Sequence, residues 1–162
     1  MDIDTDIAQL IAQELSLVFP AFDLHTAWQL GTRLREVALA RGVAITIEVR
    51  LVRDTAFFCA MPGTTPENAD WARRKRNLVE LQQRSSYILG LELKRAGTTV
   101  ADKFGLAPRD HVAAGGCVPV RVAGVGCVGT ATVSGLPQRE DHELVVQVMA
   151  ELCGAAGAAK AG

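Results

Sequence analysis

The sequence predicts a single α+β domain, residues 1–162, in which β-hairpins alternate with amphipathic helices. A chain of 162 residues buries roughly 70% of its unfolded surface, which is enough for one self-sufficient core. Residues 43–61 and 117–133 each read as two short strands joined by a turn. Residues 3–18 and 23–41 instead carry apolar side chains at helical spacing. The expected order is therefore helices, a hairpin, helices, a second hairpin and a final helix.

The first two predicted helices have recognisable ends. Phe19-Pro20 ends the N-terminal helix, which occupies residues 1–20, and Asp23 can cap the second. Arg41-Gly42 supplies the stop of the second helix. Gly31 lies inside that helix, where glycine costs up to ~1 kcal/mol relative to alanine. We therefore expect another element to pack closely against Gly31.

The first hairpin is predicted from strict alternation. Residues 43–52 are rich in β-branched side chains, with one apolar face and one mixed face. Arg53-Asp54 turns the chain into a second strand over residues 55–61, and Pro62-Gly63 ends it. The alternation indicates that one face is core and the other partly wet.

The next helix is predicted over residues 66–84, because Thr65-Pro66-Glu67 combines a cap, a proline and an acid. Four consecutive cations, residues 73–76, fan around most of its circumference at about 100° per residue. They are either solvated or salt-bridged, or Arg74 and Lys75 contact an anionic ligand or a partner chain. A short helix at 88–95 and a loop at 96–110 follow.

The second hairpin and its exit are the most informative stretch. Strands at 117–122 and 125–133 turn at Ala123-Gly124 and lead through Ser134-Gly135-Leu136-Pro137 into the final helix. The Ala/Gly-rich residues 154–162 are expected to form a flexible tail. Gly124–Gly129 is not a dinucleotide loop, because it lies in a hairpin and lacks the flanking phosphate motif.

Candidate ligand-binding residues cluster around this hairpin. His111 precedes Gly115 and Gly116, where small residues let the backbone approach a ligand closely. Ser134 and Gly135 present backbone N–H groups at a helix start, which can hold an anion or act only as a cap. Helical phase places Asp141 and His142 toward the buried side, as general base, metal ligand or haem contact. The alternative is that Asp141 complements the helix dipole and His142 bonds a neighbouring loop.

The composition excludes several classes of function. Seventeen basic residues against eighteen acidic ones, a net charge of −1, remove any whole-molecule attraction for nucleic acid or an anionic membrane. The acidic start and the lack of a long apolar run predict a cytoplasmic protein. Four cysteines without a C-x-x-C pair read as reduced, mostly buried side chains, so no metal site is predicted. A redox role for Cys117 or Cys127 would need a low-pKa thiolate.

Several motifs give the chain a family resemblance that spans nearly everything after the first helix. It resembles the haem-degrading-domain family, HbpS-like and GlcG-like, within its small uncharacterised branch. The resemblance implies a profilin-like domain, with an antiparallel sheet of about five strands flanked by helices. It also implies a homo-oligomer and, in a few members, binding of haem or a related tetrapyrrole. The motifs are AWQLG at 27–31, VAITIEV at 43–49, DWARRKRN at 70–77, SSY at 85–87, HVAAGGCVPV at 111–120 and SGLPQREDHELV at 134–145.

Two functions remain open at this point. The first is an oligomeric domain that binds a small anionic or haem-like ligand at the Gly115-Gly116 and Ser134–His142 corner, with or without haem degradation. In that hypothesis an imidazole would hold iron, and Arg74 or Lys75 would contact acidic groups. The second is an interaction or assembly protein without chemistry, using the first helix and the 66–84 helix for contacts.

Overall fold

The computed structural model describes the backbone of residues 1–161 and the side chains of residues 1–154. The expected tail at 154–162 lies, apart from Gly154, outside the residues whose side chains are described. None of the described helices is both long and apolar enough to cross a bilayer. The elements are α1 (Ile3–Ser16), β1 (Val18–Phe19), α2 (Leu24–Arg41), β2 (Thr46–Leu51), β3 (Asp54–Ala60), α3 (Pro66–Gln82), α4 (Ser86–Ala96), α5 (Val100–Phe104), β4 (Cys117–Val122), β5 (Gly126–Ser134) and α6 (Gln138–Ala161).

The strands form one sheet in the order β1-β4-β5-β2-β3. Both predicted hairpins are present, β2 with β3 and β4 with β5, and β2 joins them by pairing antiparallel with β5. The α+β fold and the five-stranded sheet are thus confirmed for the described residues. One edge differs from the expected antiparallel sheet, because the two-residue strand β1 pairs parallel with β4.

One face of the sheet carries the apolar core, covered by α2 and α6. Ile45, just before β2, and Ile47 and Val49 within it point onto this face and are fully buried. Gly31 receives the Phe57 ring so closely that a Cβ there would overlap it. The predicted close packing at Gly31 is therefore confirmed. The helix residues of this layer include Leu30, Leu34, Leu144, Val145, Val148 and Met149.

The opposite face is polar, although α3 covers it. Thr46, Thr130 and Thr132 are buried there, and no described group bonds their hydroxyls. Ion pairs join α3 to the sheet and to α6. Helix α3 therefore contacts the sheet both through the buried Leu78 and Val79 and through ion pairs. The pairs are Lys75 with Asp141, Arg76 with Glu48, and Glu80 with Arg50.

The chain between α3 and β4 is more helical than expected. α5 lies inside the predicted loop at 96–110, capped by the Thr99 hydroxyl on the Asp102 N–H and closed by Gly105 at φ 67°. α4 packs against α1 through Leu10, Tyr87 and Ile88. Helix α1 is further fixed by Glu14, whose carboxylate accepts the Ser85 N–H at 2.7 Å.

Candidate functional site

A pocket of about 370 Å³ opens between α3 and the turn that leads from β5 into α6. Four residues singled out in the sequence line it: Lys75, Ser134, Gly135 and Asp141. The turn that was expected to offer an anion site therefore does border an open space. The remaining lining residues are Asn68, Trp71, Ala114, Leu136 and Gln138.

Lys75 and Asp141 form a buried ion pair at the edge of this pocket. The Lys75 Nζ lies 3.1 Å from Asp141 Oδ2 and donates a second hydrogen bond to the Val133 carbonyl at 3.2 Å. The residues are only 4% and 1% exposed. Burial raises the pKa of the Asp141 carboxyl, while Lys75 and the Leu136 N–H, 3.0 Å from Oδ1, oppose that rise. Lys75 thus fixes α3 to α6 and is not one of the solvated cations of its run.

Gly115 and Gly116 bring the backbone close to this ion pair and to α6, as small residues allow. A Cβ on Gly116, whose φ is 138°, would come within 2.7 Å of Lys75 Nζ and 3.3 Å of the Asp141 Cβ. A Cβ on Gly115 would meet the Gln138 carbonyl and the Tyr87 ring. Both glycines lie behind the pocket wall and serve close packing of protein on protein.

His142 is enclosed against Tyr87 of α4, about 100° around α6 from Asp141. It is 1% exposed, its ring lies 5.1 Å from that of Tyr87, and neither ring nitrogen has a described hydrogen-bond partner. Burial lowers the pKa of this imidazole to about 4, so it is neutral at physiological pH. Asp141 and His142 are therefore both buried, as helical phase predicted, but each contacts different neighbours.

His111 lies on the segment between α5 and β4, which runs beside Arg74 of α3. The Val112 N–H donates to the Arg74 carbonyl at 3.2 Å. His111 Nδ1 is 3.0 Å from the Ala107 carbonyl, which can only accept, so Nδ1 carries the proton and Nε2 stays open. The Arg74 guanidinium donates to the Pro108 carbonyl at 2.7 Å and lies 4.8 Å over the Trp71 ring. Neither side chain lines the pocket.

Sequence reasoning missed Asn68, Trp71 and Gln138 as lining residues. Asn68 was detectable as the third residue of the capping box that Thr65 opens, because its side chain bonds the Thr65 N–H. Trp71 lies one turn before Lys75 and so shares its face. Gln138 carried no local signal, since its partner, the Gly115 N–H, is distant in sequence.

Neither Cys117 nor Cys127 has the lowered pKa that a redox thiolate needs. Burial raises the pKa of the Cys117 thiol far above its usual range and also raises that of Cys127. A second cavity of about 330 Å³ reaches Cys127 at the far end of α3, beside Glu80 and Thr130. Both thiols are thus protonated and weakly nucleophilic, which contradicts the redox hypothesis.

Comparison with known sequences gives a consistent result. A family model described as haem degrading protein HbpS-like matches residues 22–150. A UPF0303 protein of Azotobacter vinelandii is 51% identical over 150 residues, covering 93% of this chain and 90% of the relative. A UPF0303 protein of Burkholderia mallei is 53% identical over 149 residues, covering 92% of this chain and 90% of the relative.

Solved structures share the fold at low sequence identity. The Ybr137w protein superposes with a TM-score of 0.84 at 22% identity, covering 93% of this chain and 88% of its own. HbpS gives 0.64 at 21% identity, covering 81% and 89%. A structure described as a PduOC:Heme complex gives 0.69 at 17% identity, covering 80% and 94%. The chain therefore belongs to the HbpS-like haem-degrading protein family, and its sequence is similar to the UPF0303 proteins within it.

Proposed function

We propose that this chain is a cytoplasmic, homo-oligomeric domain that binds a small anionic or tetrapyrrole ligand, with haem as the first candidate. The observation that carries the proposal is the pocket, which combines the indole of Trp71 with the Lys75 ammonium group. The other polar side chains that line it, Asn68, Ser134, Gln138 and Asp141, can fix the orientation of a small ligand beside the indole. The family description names haem, and one fold neighbour is described as a haem complex.

The histidines suit different roles toward haem. His111 has the arrangement of an iron ligand, because its Nδ1–H is held by a carbonyl and leaves Nε2 free. It precedes Ala114, which lines the pocket, by three residues. His142 is enclosed beneath Tyr87, so it would support the core and not the ligand. Haem, when bound, would supply a redox-active iron, and the protein would supply the flat wall and the cation.

A Soret-band titration of the purified protein with haem tests this proposal. We expect a saturable shift that weakens in Trp71→Ala and changes position in His111→Ala. Leu39→Ala is the control, since Leu39 is 53% exposed on α2, across the sheet from α3. Adding a reductant and oxygen to the loaded protein then tests for haem degradation as loss of the band. No saturable shift in the wild type would refute the haem assignment.

Exposed apolar side chains favour assembly as a second candidate function. Phe58 is 52% exposed on β3, the edge strand of the sheet, and Trp28 packs edge-on against Phe57 at 5.0 Å. An open edge strand with aromatic neighbours suits a protein contact. If this is the function, light scattering would show an oligomer whose melting temperature does not respond to haem.

A further inference from the structure

Hydrogen bonds inside the pocket fix which polar groups remain for a ligand. The Asn68 Oδ1 accepts the Thr65 N–H at 3.0 Å, and the Gln138 Oε1 accepts the Gly115 N–H at 3.1 Å. Because a backbone N–H can only donate, each bond identifies the oxygen of its amide. The NH₂ ends of Asn68 and Gln138 have no partner among the described residues, so they are what these side chains can offer.

The hydrogen bonds of the ion pair likewise show which of its groups stay free for a ligand. Asp141 uses Oδ1 for the Leu136 N–H and Oδ2 for Lys75. The Lys75 ammonium has three N–H groups, and the described structure accounts for two, on Asp141 and the Val133 carbonyl. One Lys75 N–H therefore remains for the pocket that this residue lines.

Trp71 adds a further donor, since an indole N–H can donate but not accept. The Ser134 hydroxyl can do either, because it rotates. Apart from that hydroxyl, each side-chain oxygen around this pocket already accepts one hydrogen bond. The free donors are the NH₂ groups of Asn68 and Gln138, the Trp71 indole and one Lys75 N–H. A ligand that supplies donors would leave these groups unsatisfied, which is costly in a partly buried site.

We infer that the pocket is a carboxylate-binding site, read by the free donors of Asn68, Lys75 and Gln138, and that it holds the acidic end of its ligand. The inference deepens the proposed function and rests on it for the location of the site. If the ligand is haem, a propionate enters this pocket and the iron lies outside it. Lys75 offsets the charge of Asp141, so the bound carboxylate does not face an unpaired negative group.

Haem and its dimethyl ester separate this inference from the proposed function. The two share the macrocycle and the iron, but the ester lacks free carboxylates. In Soret titrations we expect haem to bind at least about tenfold more tightly, the range of a charged hydrogen bond. Equal binding of both would overturn the carboxylate assignment and leave haem binding standing. Failure of both would refute the haem proposal, and the small probes described next would then decide the polarity of the pocket.

Benzoate and benzamidine are those probes, since both are planar and nearly isosteric. The carboxylate of benzoate offers only acceptors, whereas the amidinium of benzamidine offers only donors. The double variant Asn68→Asp, Gln138→Glu keeps both internal hydrogen bonds and turns each free NH₂ into an oxygen. By saturation-transfer NMR we expect benzoate to bind the wild type and to lose at least about tenfold affinity in the variant, with benzamidine showing the opposite preference. Gln29→Glu, an exposed change on α2, should leave both unchanged. Absent benzoate binding, or benzamidine preferred by the wild type, would overturn the inference.

Discussion

Replacing His142 by phenylalanine should remove a large part of the acid sensitivity of the fold. The imidazole is 1% exposed and packs on Tyr87, and neither nitrogen has a described partner. Phenylalanine keeps the ring and removes both unsatisfied nitrogens, so His142→Phe should be at least as stable as the wild type at neutral pH. Only the wild type must keep a neutral imidazole buried as the pH falls.

The size of the effect follows from the two pKa values of this group. In the folded chain the pKa of His142 is about 4, whereas an unfolded histidine titrates near ~6.5. Between those values the unfolded chain binds the proton and the folded chain does not. Stability therefore falls with decreasing pH across that window. From about pH 7.5 to about pH 4.5 the loss from this one group is about 2.5 kcal/mol.

Urea unfolding at a series of pH values measures this difference. The wild type should lose about 2.5 kcal/mol more than His142→Phe over that range. His25→Phe, a change at an exposed ring on α2, should keep the wild-type pH dependence. Parallel stability curves for the wild type and His142→Phe would show that the imidazole is hydrated or charged in the folded protein, and would refute the reasoning.

Two further substitutions probe the ion pair. Lys75→Met leaves the buried Asp141 carboxylate unpaired and should lower the free energy of unfolding, measured in urea, by about 3–5 kcal/mol. Adding Asp141→Leu should recover much of that loss. No recovery would mean that the lysine acts through packing alone. Gly116→Ala places a Cβ in overlap with the Val133 carbonyl oxygen and 2.7 Å from Lys75 Nζ. Because the backbone oxygen cannot move aside, the change should destabilise the fold by well over the ~1–2 kcal/mol expected for left-handed backbone alone. Gly42→Ala is its control, because a Cβ there meets nothing within 4 Å, and equal costs would contradict the predicted overlap.

The fold was predictable where local rules apply. Alternation gave β2, and the Asp23 cap with Gly42 bounded α2 as observed. β1 was not predicted, because two residues are too few to show a period and their partners on β4, such as Arg121, are distant in the chain. α5 was not predicted either, because five residues hold no complete apolar stripe. Its Thr99 cap and its Gly105 stop are nevertheless visible in the sequence.

The candidate site was predictable only in part, for a physical reason. Helical phase placed Asp141 and His142 on the buried side, and small residues marked Gly115 and Gly116 as points of close approach. The run of cations hid the role of Lys75, because its partner lies 66 residues later. Only tertiary pairing distinguishes a buried lysine from its solvated neighbours.

The polar layer beneath α3 affects how this helix opens locally from the sheet. The charged contacts under α3 are mostly buried, so salt screens them only weakly. Lifting α3 from the sheet would separate all three ion pairs at once, so we expect its amide protons to exchange with deuterium as one cooperative unit at a rate that changes little with salt. Since Trp71 belongs to that helix, the same opening would also move the wall of the pocket.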